Sequence, residues 1–379
     1  MPTRIRFGTG ESSQLPDELT KLEFKRLLIV TDPGIVSTGI IDPISESLQK
    51  SGIHVETFDQ VAQNPRDSDC LYGTEVFQGI HADAVLAIGG GSAMDTAKTI
   101  ALLAKSGGNP SEYADGHRPY QEMAPVICVP TTAGTGSEVT RSAVITESFT
   151  HRKMTLKHEK MRPILAVLDP RLTVSVPASV TAATGVDALV HAIEGYTCTI
   201  TSPISKAYGA EAMRTIIPAL PIAVSDGKNL EARTKMLEGS LLAGLCFGNA
   251  DVASVHCLAE ALGSVYDTPH GIANAIFLPH VLRFNAQDNI ALHADISRLM
   301  GYSNDAQDDD HAVEQLINGV FAFTQSLGIA KLRELPDVNE RDFDKLAALA
   351  FANGSTPSNV RTITLEDYRM ILSNTYHHA

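Results

Sequence analysis

An acidic residue and a histidine, Asp187 and His191, lie four residues apart in the segment GVDALVHAIE. Side chains at this spacing project from the same face of a helix. Most of the neighbouring residues are apolar, which predicts that this face is buried, and a buried carboxylate and imidazole need polar partners. The two side chains could hydrogen-bond to each other, or they could be two ligands of one metal ion, and their spacing is compatible with both.

Two further histidines, His256 and His270, lie 14 residues apart (270 − 256) on either side of an expected chain reversal. His256 is in an Ala- and Leu-rich segment that predicts a helix, and we expect that helix to stop at Gly263 before the chain turns at the Pro-His-Gly sequence around His270. A helix followed by a turn can bring the two imidazoles together. With Asp187 and His191 they would offer one oxygen and three nitrogen ligands, a set that suits Fe²⁺ or Zn²⁺ and leaves a position for a substrate oxygen.

Two segments rich in glycine or hydroxyl groups each follow a predicted strand. The segment GGGSAMD, residues 89–95, opens a predicted helix, and PTTAGTGSEVT, residues 130–140, combines hydroxyls with flexible backbone. Such loops can bind an anion, because glycine lets backbone N–H groups approach it and a helix N-terminus favours negative charge. A glycine triplet before a helix also occurs as an ordinary tight turn, but two such loops favour a phosphate-bearing cofactor.

Asp32 follows the first clear predicted strand. At that place a carboxylate can accept hydrogen bonds from ribose hydroxyls and repel a 2′-phosphate, which would favour NAD(H) over NADP(H). It could equally be an ordinary turn residue in front of Pro33.

These segments belong to two parts of the chain with different sequence patterns. The first part alternates β-rich runs with helical stretches, the pattern of a parallel sheet wrapped by helices; the clearest predicted strands are residues 26–30, 84–88 and 126–129. From about residue 181 the chain is rich in Ala and Leu at helical spacing. We therefore predict an α/β dinucleotide-binding domain over residues 1–180 with a parallel nucleotide-binding sheet, and an all-helical metal- and substrate-binding domain over residues 181–379.

Composition limits the possible partners and location. The 379 residues carry a formal charge of −14 and no basic stripe, which argues against nucleic acid as a partner. No stretch resembles a targeting signal or approaches about 18 uninterrupted apolar residues, so we expect a cytoplasmic protein without a membrane partner. Five cysteines without a CxxC pair predict reduced, packed thiols rather than a disulfide framework or a zinc–thiolate site.

Taken together, the motifs resemble the iron-containing (group III) alcohol dehydrogenases, which share their fold with dehydroquinate synthase and glycerol dehydrogenase. The resemblance extends over nearly the whole chain. It is carried by FGTG at residues 7–10, GGGS to Lys98 at 89–98, the segment 130–140, Asp169-Pro170, Asp187 with His191, and His256 with Pro269-His270-Gly271.

The resemblance implies which residues bind the cofactor and the metal. By motif, the residues facing NAD(P) would be Asp32, Gly90, Gly91, Ser92, Asp95, Thr131, Thr132, Thr135, Ser142 and Lys153. The ligands of one divalent ion, Fe²⁺ or Zn²⁺, would be Asp187, His191, His256 and His270. The expected reaction is hydride transfer between the nicotinamide and a small alcohol or aldehyde, with the metal ion polarising the substrate oxygen. Members of the family commonly self-associate, so a homo-oligomer is expected.

Glu260 departs from the family pattern, in which the residue four after the third ligand is often a histidine proposed to relay a proton. Its place four residues after His256 predicts that it faces the same site. It could relay a proton as a catalytic residue, contact a polar substrate or a metal ligand, or have no role.

Three alternative functions stay open. The first is a reductase of an activated or polar carbonyl, of the phosphono-, sulfo- or maleylacetate type, and the second is a lyase like dehydroquinate synthase. The third is a metal-storage or scaffold protein, which would have no affinity for a dinucleotide. The metal-ligand set argues against the maleylacetate branch, and the two anion loops argue against the third reading.

Overall fold

The computed structural model describes residues 3–378. The chain forms two compact units, Met1–Val176 and Pro177–Ala379. The first is built on a parallel sheet and the second on helices, as the sequence predicted for the fold class. The binding roles assigned to domains 1–180 and 181–379 stay predictions.

In the part of the first unit that the structure describes, eight strands are present: β1 (Arg4–Phe7), β2 (Arg26–Val30), β3 (His54–Phe58), β4 (Ala84–Gly89), β5 (Val126–Pro130), β6 (Ser142–Thr146), β7 (Lys153–Lys157) and β8 (Leu165–Leu168). Six of them form a sheet in the order β1-β8-β5-β4-β2-β3, and all of its pairings are parallel. The other two, β6 and β7, form an antiparallel hairpin. The three strands predicted from β-rich runs are β2, β4 and β5, so that prediction is confirmed.

The central strands are apolar because both faces of the sheet are covered. Leu27 and Ile29 point into one apolar cluster, whereas Leu28 and Val30 point into the other. The helices of this unit are α1 (Leu15–Lys21), α2 (Pro33–Ser37), α3 (Ile41–Lys50), α4 (Asp67–Gly79), α5 (Gly91–Ser106) and α6 (Pro110–Ala114). Strands β4 and β5 end side by side, with Gly89 in register with Pro130. The two candidate anion loops therefore leave the sheet next to each other.

Residues 177–378 fold into helices and short 3-10 turns, without a strand. The helices are α7 (Ala178–Thr197), α8 (Pro203–Ser225), α9 (Leu230–Phe247), α10 (Ser254–Tyr266), α11 (His270–Ala286), α12 (Ile290–Leu299), α13 (Asp309–Ser326), α14 (Phe343–Ala352) and α15 (Leu365–His377). Helix α7 is buried along most of its length and packs against α8, α9 and α11. The prediction of a helical second half is confirmed.

The expected end of the helix at Gly263 is wrong. Helix α10 continues to Tyr266 and ends where Asp267 adopts a left-handed conformation with φ of 54°. A glycine inside a helix costs only about 1 kcal/mol relative to alanine, and the tertiary packing of a buried helix readily outweighs that cost.

Two expectations from composition can be compared with the structure. All five cysteines are buried and carry free thiols, as predicted. Among residues 3–378, every helix is too short or too polar to cross a membrane.

Candidate metal centre and cofactor loops

Three helices of the second unit supply the four predicted metal ligands. Asp187 and His191 lie on one buried face of α7, His256 is the third residue of α10, and His270 is the first residue of α11. One donor atom from each residue lies within 4.8 Å of the donor atoms of the other three. The structure thus brings together all four residues that the sequence singled out.

The distances within this cluster distinguish the two interpretations of Asp187 and His191. Nδ1 of His191 lies 3.8 Å from Oδ2 of Asp187, which is longer than a hydrogen bond. Instead, Nε2 of His191 lies 2.9 Å from Nε2 of His256. Oδ1 of Asp187 is 3.6 Å from Nε2 of His270 and 3.9 Å from Nε2 of His256. The donors converge on a common point rather than forming an isolated Asp–His pair.

Glu194 contacts this cluster, and sequence reasoning missed its part. Its Oε2 atom lies 2.6 Å from Nδ1 of His256, and the carboxylate also accepts from the backbone N–H groups of Ala253 and Val255. A signal was present, because Glu194 follows His191 by three residues and Asp187 by seven, and both spacings return to the same helix face.

Asn274 is a second contact that the sequence did not reveal. It lies one helical turn after His270 on α11 and is completely buried. Its Nδ2 atom donates to Oδ1 of Asp187 at 2.6 Å and lies 3.0 Å from Nε2 of His270. The amide therefore links the carboxylate of α7 to the imidazole of α11.

The residues fit a divalent transition metal. Three imidazoles and one carboxylate are the donor types that Fe²⁺ and Zn²⁺ accept. Metal-binding histidines usually donate their second ring N–H to a carboxylate or carbonyl, and the contact between His256 and Glu194 has that form. Asp187, His191 and His256 are nearly inaccessible to solvent, while His270 is partly exposed, so the cluster has one side open to a small molecule.

Electrostatics link Glu260 to the same cluster. Burial favours the neutral ring of His256, but the charge and hydrogen bond of Glu194 outweigh it and raise the pKa of the imidazole. The charges of Asp187 and Glu260 act in the same direction, so Glu260 lies close enough to influence this ring. Its Oε2 atom accepts a hydrogen bond of 2.7 Å from Nδ2 of Asn353, the residue that follows α14.

The two glycine- and hydroxyl-rich loops of the first unit lie against each other. A side chain at Gly90 would begin 3.1 Å from Oγ1 of Thr132, and one at Gly91 would begin 2.5 Å from Cγ2 of Thr135. A larger residue would clash with Thr135 at position 91 and crowd Thr132 at position 90, and α5 starts at Gly91 beside the hydroxyls. A helix N-terminus next to several hydroxyl groups fits a cofactor phosphate.

Several predicted cofactor residues also hold the loops in place. Asp95 accepts hydrogen bonds from Oγ of Ser137 at 2.7 Å and from the backbone N–H of Val144 at 2.9 Å. The backbone carbonyl oxygen of Ser142 accepts a hydrogen bond from the buried ammonium group of Lys98. Burial lowers the pKa of this lysine. These contacts join α5, the second loop and β6.

Three further predicted cofactor residues, Ser92, Lys153 and Thr131, differ in their hydrogen-bond partners. Oγ of Ser92 donates to the carbonyl oxygen of Gln63 at 2.5 Å, and Nζ of Lys153 donates to Asn64 and Thr146. Thr131 is fully buried, and its hydroxyl has no hydrogen-bond partner among the described residues.

Asp32 caps helix α2 by accepting a hydrogen bond of 3.0 Å from the backbone N–H of Ile35. A Cβ atom at Gly89 would lie 3.6 Å from its other carboxylate oxygen. The residue thus stabilises a turn, as one interpretation held, and also lies beside the glycine loop, as the other requires.

Glu138, within the second loop, was not singled out from the sequence. Its side chain is 1% exposed, and its Oε1 atom has no hydrogen-bond partner within residues 3–378. Burial raises the pKa of this carboxyl group from 4.5 to about 7.

Comparison with known proteins agrees with the motifs. The model of the iron-containing alcohol dehydrogenase family matches residues 2–170, and the model of the Fe-containing alcohol dehydrogenase C-terminal family matches residues 181–376. An NAD-dependent methanol dehydrogenase from Bacillus methanolicus is 36% identical, covering 99% of this chain and 98% of the relative. A 1,3-propanediol dehydrogenase from Citrobacter freundii is 39% identical, covering 94% and 92%. The crystal structure of a 1,3-propanediol oxidoreductase superposes with a TM-score of 0.94 at 36% identity, covering 99% and 98% of the two chains.

Proposed function

We propose that this chain, which belongs to the iron-containing alcohol dehydrogenase family, transfers a hydride between NAD(H) and a small alcohol or aldehyde. The observation that carries the proposal is the convergence of one carboxylate and three imidazoles within 4.8 Å. The proposed ligands of a single Fe²⁺ or Zn²⁺ ion are Asp187, His191, His256 and His270.

When bound, the ion would supply Lewis acidity that polarises the substrate oxygen. The chain's own residues would hold the metal ligands in position and supply negative charge to the ion. Asp187 contributes a negative charge that Asn274 orients, and His256 is oriented by Glu194. The partly exposed side of His270 is the side from which a small substrate can reach the cluster.

We propose that the loops after β4 and β5 bind the phosphates of the cofactor. The residues we expect to take part are Asp32, Gly90, Gly91, Ser92, Asp95, Thr131, Thr132, Thr135, Ser142 and Lys153. The glycine contacts and the start of α5 support this interpretation. Asp95 and Ser142 would act mainly by shaping the loop, because their oxygen atoms already accept hydrogen bonds from the protein. Preference for NAD(H) over NADP(H) is supported by Asp32 beside Gly89.

For Glu260 we propose the role of a catalytic proton relay. Its hydrogen bond with Asn353 restrains the carboxylate, and its charge reaches His256. A carboxylate can accept the proton that an alcohol loses on oxidation and return it in the reverse direction. The cytoplasmic location, the homo-oligomeric state and the absence of nucleic-acid and membrane partners stay predictions from the sequence.

The proposed function can be tested by anaerobic reconstitution with Fe²⁺ or Zn²⁺, followed by oxidation of NADH and NADPH over short aldehydes, polar aldehydes and keto acids. We expect metal-dependent oxidation of NADH with a short aldehyde. Activity confined to sulfo- or phosphono-aldehydes would favour the activated-carbonyl reductase instead. Product formation without net consumption of NADH would contradict the proposal and favour a lyase.

A further inference from the structure

We propose that Glu194 is a positioning residue of the metal centre, which fixes the ring nitrogen that His256 presents and at the same time caps helix α10. This inference rests on the proposed function, because it assigns Glu194 to the support of a metal ligand. The basis is that one buried carboxylate contacts both the ligand and the start of the helix that carries it.

The carboxylate of Glu194 is buried, so water cannot replace the hydrogen bonds that it makes within the protein. Glu194 is 3% exposed and lies near the end of α7, on the face that also carries Asp187 and His191. A buried charge without compensating hydrogen bonds would be strongly unfavourable. Helix α7 therefore supplies two candidate ligands and, one turn later, the group that supports a third.

The first part of the role concerns the N-terminus of α10. Oε2 of Glu194 accepts from the backbone N–H of Ala253 at 2.8 Å, and Oε1 accepts from that of Val255 at 2.7 Å. The residue at the N-cap position is Ala253, which has no side chain able to cap the helix. A negative charge at a helix N-terminus is favourable. Glu194, which belongs to α7, therefore caps α10 in place of a side chain at Ala253.

The second part concerns the ring of His256. Because Oε2 of Glu194 lies 2.6 Å from Nδ1, that nitrogen carries the proton and donates it to the carboxylate. In the neutral ring the lone pair is then on Nε2, the atom that faces His191. Capping and ring orientation are coupled, since the same carboxylate binds the backbone N–H groups of Ala253 and Val255, just before His256, and the ring itself.

The alternative is that Glu194 only stabilises the helix. The two roles can be separated, because a serine at position 253 can cap α10 but cannot reproduce a charged partner for His256. We therefore compare Glu194→Gln, Ala253→Ser and the double variant with the unaltered chain. Glu211→Gln, an exposed glutamate on α8, is the control for loss of one negative charge.

The measurement is a titration of the full-length, metal-stripped protein with Co²⁺, followed by its visible absorption, and with Zn²⁺ in competition with a chelator. We expect Glu194→Gln to weaken both affinities about tenfold to a hundredfold and to shift the Co²⁺ absorption bands. In the double variant the melting temperature of the metal-free protein should recover, but the affinity should not. Glu211→Gln should bind both ions as the unaltered chain does.

Two outcomes would overturn the inference. If Glu194→Gln keeps the affinity within twofold and the same Co²⁺ spectrum while its melting temperature falls, Glu194 is a helix cap only. Recovery of affinity together with stability in the double variant would lead to the same conclusion. If the unaltered chain binds neither ion, the proposed metal centre itself is wrong, and the result is recognisable because every variant then behaves alike in the titrations.

Discussion

Nδ2 of Asn274 donates a hydrogen bond of 2.6 Å to Oδ1 of Asp187 and joins α11 to α7 at the candidate metal centre. Removing this donor leaves one carboxylate oxygen without its fixed partner. We expect Asn274→Ala to weaken Zn²⁺ binding about tenfold or more and to lower the free energy of unfolding by about 1–3 kcal/mol. Chelator competition and chemical denaturation measure the two effects.

The control for Asn274→Ala is Asn285→Ala. Asn285 is also buried on α11, where it pairs with Asn359. This variant should lose stability but keep the Zn²⁺ affinity. Equal affinities in the two variants would contradict a specific role for Asn274.

Metal removal should destabilise the protein, because the proposed ligands His191 and His256, whose Nε2 atoms are 2.9 Å apart, are close together only in the folded chain, so an ion would bind the folded state in preference to the unfolded one. Addition of Zn²⁺ at about a hundred times its dissociation constant should raise the free energy of unfolding by about 2.7 kcal/mol. The increase should be seen as a higher melting temperature. Treatment with a chelator should reverse this shift and abolish the activity. In His191→Ala the shift should be much smaller, and an undiminished shift would argue that the ion binds elsewhere.

Substitution of Glu260 tests the proton relay. A carboxylate that must be ionised to accept a proton produces an acid limb in the pH profile of kcat/KM. Glu260→Gln should therefore flatten that limb and lower kcat. Asn353→Ala, which removes the hydrogen bond to Glu260, should shift the limb without abolishing it. A raised KM with an unchanged pH profile would point to a contact with the substrate.

Glu138 predicts an unusual dependence of stability on pH. Its pKa is about 7 in the folded chain and 4.5 without the surrounding protein. Between these values the unfolded chain releases the proton while the folded chain keeps it, so stability falls as pH rises from about 4.5 and the full cost is present above about 7. The 2.5-unit difference corresponds to about 3 kcal/mol.

Glu138→Gln removes the titrating group but keeps its shape. We expect it to be more stable than the unaltered chain at pH 8 and to lose this advantage at pH 4.5, as measured by denaturation at both values. A difference that is independent of pH would contradict the raised pKa of Glu138.

Local patterns were sufficient for the strands and for the placement of Asp187 and His191 on one buried helix face. Apart from the exposed Arg26, residues 26–30, 84–88 and 126–129 are apolar on both faces, and a parallel sheet buries both, so their strands end within one residue of the prediction. The spacing of Asp187 and His191 is a property of one helix, and it needed no knowledge of the tertiary structure.

Contacts between residues that are far apart in the sequence could not be predicted from local patterns. Glu194 meets His256 across 62 residues, and Asn274 meets Asp187 across 87, so neither partner follows from local spacing. The end of α10 was misplaced for a related reason. The packing of a buried helix decides whether Gly263 interrupts it, and glycine at that position does not indicate the packing by itself.

The four donors come from three helices, and this has a consequence for the helical unit as a whole. An ion held by His191 and His256 would join positions 65 residues apart (256 − 191), which closes a long loop of chain. Because these donors lie close together only in the folded chain, the ion would bind the folded state and hold α7, α10 and α11 together. Chains that have acquired their ion would therefore open less often in this unit, and a protease that attacks opened helices would degrade the unloaded chains first.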